Sequence, residues 1–242
     1  MRENSDERGS AGVVELEIDR DRTTALEDAG RTRGAATKRL GGFVDRLAEA
    51  VETGENLRQM PPLVIIIRHA EKPLVGTAPM GVTSDGLPDP ESLTPRGWQR
   101  AGALISLFVP HPSGAGPTLP TPTDLLASQV GLHSSSRRPR ETLEPLSERL
   151  GLTIDDRFMK EELAQLVQAV VGIDGVVLIS WEHHLIPSIA NMLVGDTSSA
   201  PQMWPDDRFD VVWLVDLSVP GKPAGFRQVP ELLLAGDRVN PI

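Results

Sequence analysis

The chain has 242 residues, with 24 Lys and Arg against 34 Asp and Glu, for a net charge of -10. That balance argues against a nucleic-acid backbone or an anionic membrane as the main partner, so any anion site has to be a local cationic cluster. Cysteine is absent, which removes disulfides, thiolate chemistry and Cys-based zinc sites and leaves only histidines and carboxylates for a metal.

The first thirty residues hold four arginines against nine acids and only a brief apolar alternation around Val13 to Ile18. Such a composition does not offset the entropy of ordering, and residues 1–36 are expected to be a disordered extension. No apolar signal-peptide core opens the chain, and the run Leu63 to Ile67 is far shorter than a membrane span, so a cytoplasmic protein is expected. Within residues 37–60, Leu40, Phe43, Val44, Leu47 and Val51 recur at helical spacing. This predicts an amphipathic helix that packs on the domain behind it, or alternatively docks a partner or a second subunit.

After Pro61-Pro62 the pattern changes. Leu63 to Ile67, Asp124 to Ala127, Val176 to Ile179 and Val211 to Leu217 are short aliphatic runs that predict strands, the first three followed by polar residues and then by helical spacing. Residues 61–242 therefore read as one α/β domain, a three-layer sandwich with a mainly parallel sheet covered by helices on both faces. Ligands of such sheets bind beyond the carboxyl ends of the strands.

The helix signals fit between the strands. Thr94 is an N-cap with Pro95 as first helical residue, and Trp98, Ala101, Ile105 and Phe108 share a face before Pro110 ends the helix. A second helix opens at the arginine cluster near Arg138, a third spans Glu161 to Val171, and a fourth carries Leu185, Ile186, Ile189 and Leu193. Leu74 to Ser92 and Pro110 to Pro122, rich in Gly, Pro, Ser and Thr, read as surface loops.

Three strand exits carry chemistry. The first gives Arg68-His69-Ala70-Glu71. The second leads through Ser134-Ser-Ser to Arg137-Arg138-Pro139-Arg140-Glu141-Thr142. The third gives Trp181-Glu182-His183-His184. Arginines at a helix start combine fork-shaped cations with free backbone N–H groups, which suits a phosphate. Each piece alone has a bland alternative: a capped strand end, a solvated basic face, or a histidine in the first turn of a helix.

Taken together these residues resemble the histidine phosphatase superfamily, the phosphoglycerate mutase-like proteins. The similarity runs over roughly Leu63 to Leu217 and rests on Arg68-His69-Ala70-Glu71-Lys72-Pro73, Leu93-Thr94-Pro-Arg-Gly97, Arg138-Pro-Arg-Glu-Thr142 and Trp181-Glu182-His183. Ala70 stands where the family pattern has Gly, and the link from Gln129 to Ser136 is longer than usual.

The resemblance implies a phosphomonoester hydrolase without metal or other cofactor, in which His69 attacks phosphorus to give a phosphohistidine. It implies that Arg68, Arg138 and His183 hold the phosphate oxygens, with Glu71, Lys72 and Thr94 on the substrate side. Arg138 is favoured over Arg137 and Arg140 by its spacing to Thr142, and His183 over His184 by its place directly after the strand. The proton donor is expected at Glu161 or Glu162, with Glu71 and Glu182 as further candidates; His111 and His133 are expected to be idle. The substrate implied is a phosphorylated small molecule or a phosphoprotein. A catalytically silent phospho-ligand binder and a phosphomutase are the alternative functions.

Overall fold

The computed structural model describes residues 62–242, apart from 75, 77, 112, 114–117, 132–133 and 218–223. The chain divides into two units, Met1–Gly54 and Glu55–Ile242, and the second contains all the described residues. The expected extension 1–36 and helix 37–60 lie outside those residues.

Aliphatic runs form the centre of the sheet because both their faces are covered. β1 (Leu63–Arg68) and β4 (Val176–Trp181) are buried along their whole length, and β2 (Asp124–Ala127) and β5 (Val211–Asp216) nearly so. Two further strands carry no such signal: β3 (Ile154–Asp155) has two residues, and β6 (Gly225–Pro230) is a half-exposed edge. The sheet order is β3-β2-β4-β1-β5-β6. β1, β4, β2 and β3 run parallel to their neighbours, whereas β5 is antiparallel to β1 and β6 is antiparallel to β5.

The helices are α1 (Pro95–Ala103), α2 (Ile105–Phe108), α3 (Arg138–Leu150), α4 (Leu163–Val171) and α5 (Ile186–Val194). The single helix expected up to Phe108 is split at Leu104, and the one expected from Glu161 begins at Leu163. On one face of the sheet, Val64 and Ile66 of β1 join Leu166 and Val170 of α4 and Ile186 and Ile189 of α5 in a single apolar cluster. The alternating side chains of β1 point to the other face, where α3 lies on β2, β3 and β4 and α1 packs against α3. The three-layer α/β sandwich expected from the sequence is the observed architecture.

The turn after β1 is pinned from the α1 side. Thr94 caps α1, its hydroxyl accepting from Gly97 N at 3.1 Å, and Thr94 N donates to Glu71 O at 3.0 Å. A Cβ on Gly97 would lie 2.6 Å from that same Glu71 carbonyl. Replacing a helical Gly by Ala ordinarily gains up to about 1 kcal/mol of propensity, and forcing atoms into a filled site costs about 1–3 kcal/mol. Gly97→Ala is therefore expected to lower stability despite the better helix former, read as a reduced urea midpoint.

Candidate active site

β1, β4 and β2 are adjacent and parallel, so their carboxyl ends share one edge of the sheet. His69 is the first residue beyond β1, and its backbone N–H donates to Trp181 O, the last residue of β4, at 3.1 Å. A cavity of about 380 Å3 opens at this edge, and His69, Lys72, Glu91, Arg138, Lys160 and Glu182 line it. Serines complete the wall: Ser128 directly after β2, and Ser134 to Ser136 in the link before α3.

The His69 ring is fixed in one tautomer. Its Nδ1 lies 2.8 Å from the Ala70 carbonyl oxygen; a carbonyl only accepts, so Nδ1 carries the proton and Nε2 the lone pair. Burial holds its pKa well below the usual 6.5, and the positive charges of Arg68, Arg138 and Lys72 push the same way. The ring is thus a neutral base at physiological pH.

The turn itself is tied to α3 by one hydroxyl. Thr142 Oγ1 accepts from Ala70 N at 2.9 Å and donates to Arg138 O at 2.7 Å. This gives the Arg-to-Thr spacing a physical meaning, since the threonine joins the turn bearing His69 to the residue that starts α3.

Arg138 sits at the first position of α3. Its Nη2 donates to Glu91 Oε2 at 3.0 Å and Pro90 O at 3.2 Å, while its buried Nε has no partner. The rival arginines turn elsewhere: Arg137 pairs with Asp89 at 3.4 Å, and Arg140 with Asp156 at 2.6 Å.

Arg68 is 1 % exposed. Its Nη1 is gripped by three carbonyls, Pro205, Asp206 and Arg208, at 3.2, 2.7 and 2.9 Å, and its guanidinium stacks 3.8 Å over Phe209. Nε and Nη2 are buried without partners. Burial pushes its pKa down to about 10, with Asp206 opposing, so it stays charged at neutral pH.

His183 is buried, whereas His184 is exposed and lies against it with ring centroids 3.8 Å apart. His183 Nε2 meets Asp206 Oδ1 at 2.6 Å, and its Nδ1 is buried without a partner. Burial and the charge of Arg68 bring its pKa down to about 4, and the same hydrogen bond holds the Asp206 carboxyl below the usual range.

Several expected site residues, Arg68 and His183 among them, are placed outside the cavity lining. The Glu71 carboxylate is held by Arg100, at 2.9 Å from Nη2, and by Arg96 at 3.2 Å. Arg100 also binds Glu231 and Asp237, both at 2.7 Å, in a cluster where burial pushes Glu231 up to about 8. Thr94 is spent on the helix cap. Glu161 is exposed with Lys160 Nζ at 3.7 Å, and Glu162 accepts from Met159 N at 2.9 Å, capping its own turn.

The family resemblance pointed to Glu161 and Glu162 as proton donors, but the carboxylates in the cavity are Glu91 and Glu182. Of the two, Glu182 was a further candidate from the sequence, whereas Glu91, like Lys160, lies in a loop stretch without a motif. His111 bonds Ser113 at 2.7 Å on the surface, and His133 lies outside the described residues. Glu182, His183 and His184 bring possible ligand atoms within 4.8 Å of one another, so they could hold a divalent ion. No described helix is long and apolar enough to cross a membrane.

The neutral state of His69 is directly testable. Its ring NMR resonances are expected to stay unshifted as the pH falls through the ordinary histidine value of about 6.5, because the depressed pKa keeps the ring neutral there.

No family model matches the chain, and neither does any curated protein. Among solved structures, the chain is similar to a putative phosphohistidine phosphatase, SixA, from Agrobacterium tumefaciens, at 15% identity over 69% of this chain and 99% of that one, with a TM-score of 0.42. It is similar to a mycobacterial glucosyl-3-phosphoglycerate phosphatase complexed with VO3, at 14% identity over 69% and 97% of the two chains, TM-score 0.43. A putative alpha-ribazole-5'-P phosphatase from Escherichia coli gives 13% identity over 69% and 96%, TM-score 0.42. The likeness lies in the fold, and the chemistry has to be read from this chain's own side chains.

Proposed function

We propose that this chain is a histidine phosphatase, a phosphomonoester hydrolase that works through a phosphohistidine on His69 Nε2. The observation that carries this is the set of buried guanidinium nitrogens without partners on Arg68 and Arg138, whose charges bear on an imidazole whose Nε2 holds the lone pair. Buried N–H groups without acceptors are costly unless a ligand supplies them, and a phosphoryl group offers oxygens to several donors at once.

The residues divide the work. The neutral ring of His69 attacks phosphorus in line, and the phosphorylated ring is then hydrolysed by water, so one difficult displacement becomes two easier ones. Arg138 and Lys72 line the cavity beside His69, and Arg68 adds positive charge from beneath. Guanidinium donors pre-aimed at phosphate oxygens stabilise the charge of the transition state without a metal ion.

His183 plays a conditional part. It is neutral in the free site, and a phosphate dianion near Nδ1 together with Asp206 at Nε2 favours the protonated ring, which then donates to both. The cavity of about 380 Å3 is larger than a phosphate group, so it has room for part of the esterified alcohol, whether of a phosphorylated small molecule or of a phosphorylated protein side chain.

An aryl phosphate assay tests this reading. Wild-type protein is expected to release phosphate, His69→Ala to release none, and a brief quench with labelled substrate to leave an acid-labile phosphoryl group on the wild type only. A wild-type protein that binds phosphate but shows no His69-dependent release would be a phospho-ligand binder instead. Arg138→Ala is expected to lower kcat by about 10²–10³, the usual loss for one oxyanion donor. Activity is expected to persist in EDTA; its abolition would instead give Glu182, His183 and His184 to a catalytic metal.

A further inference from the structure

We infer that Glu182 is the proton donor to the leaving alcohol, an assignment that rests on the phosphatase reading and adds the acid that reading lacks. Two carboxylates line the cavity with His69, Glu91 and Glu182, and their partners separate them. Glu91 Oε2 accepts from Arg138 Nη2 at 3.0 Å, so its charge is committed to holding that arginine. The Glu182 carboxylate accepts no hydrogen bond among the described residues, and the nearest cation on it, Lys160 Nζ, stays at 3.6 Å.

Position favours Glu182 as well. β1 and β4 pair in parallel with Arg68 opposite Trp181, which sets His69 and Glu182 side by side as the next residue of each strand. The charge of Glu182 makes a minor contribution at each of Arg68, Lys72 and Arg138, and it shares the cavity wall with the last two.

The step balances without a further reactant. His69 Nε2 gives its lone pair to phosphorus as the bond from phosphorus to the ester oxygen breaks; that oxygen keeps the bonding pair and takes the proton of Glu182. In the second step water forms its bond to phosphorus and gives a proton to the Glu182 carboxylate, while the nitrogen-phosphorus pair returns to the ring. The proton on Nδ1 stays with Ala70 O throughout.

Leaving groups of different basicity test this. Nitrophenolate departs without a proton and the alkoxide of glycerol 2-phosphate does not, so kcat/KM, which reports the steps through departure of the alcohol, is measured for both substrates. Glu182→Gln is expected to lose about 100-fold more on glycerol 2-phosphate than on p-nitrophenyl phosphate, within the usual range for a general acid.

Glu182→Asp, which keeps a carboxyl one methylene farther away, is expected to show the same selectivity at smaller size. Glu91→Gln is expected to lose equally on both substrates, because it acts through Arg138. Equal losses for Glu182→Gln, or the selective loss appearing in Glu91→Gln, would overturn the assignment. A wild-type protein inert on both substrates sinks the phosphatase reading itself, and the assignment with it.

Discussion

The parallel pairing of β1 with β4 and of β4 with β2 is the constraint from which the site follows. Three strands of one direction, side by side, end on one edge, and the chain leaves each end through residues that carry charge or an imidazole. That pairing brings position 69 beside position 182 and the end of β2 beside the end of β4. The strands are aliphatic and buried on both faces, and a register slip would take the buried Arg68 away from the three carbonyls that hold it. The placement of the chemical groups is therefore as rigid as the core itself.

Electrostatics work against the protein's overall charge here. A chain of net charge -10 gathers Arg68, Lys72, Arg138 and Lys160 at one edge, holding Arg138 with the carboxylate of Glu91 and Arg68 with three backbone carbonyls, while Glu182 stands 3.6 Å from Lys160. On the far side of the His69 turn the sign is reversed. Arg100 alone meets Glu71, Glu231 and Asp237, which anchors the turn to the C-terminal segment. Breaking such a set by removing Arg100, its buried cation, leaves charges uncompensated beside the half-exposed Arg96.

The sequence exposed those elements whose signal is local. β1, β2, β4 and β5 were legible because continuous aliphatic runs have few other homes, and α1 because Thr94-Pro95 is a start signal. β3 has two residues and β6 is a half-exposed edge with the sequence Gly-Phe-Arg-Gln-Val-Pro, so neither offers a run or an alternation to read. In the site, His69, Lys72 and Arg138 were legible as residues at strand exits and a helix start. Glu91, Lys160 and the serines before α3 were not, because they reach the cavity only through the path of loops. Glu71, Glu161 and Glu162 show the converse: proximity in sequence to a motif says nothing about which way a carboxylate turns once an arginine or a backbone amide claims it.

Thr142 has a wider reach than its size suggests. A single oxygen takes the amide that follows the imidazole and gives its proton to the carbonyl of Arg138, so the aim of the ring and the start of the helix that carries the guanidinium are mechanically one part. A shift of α3 along its axis drags both together. Divergence at this edge is thereby confined to the walls supplied by loops, and the pair at the floor has to be kept or abandoned as a unit.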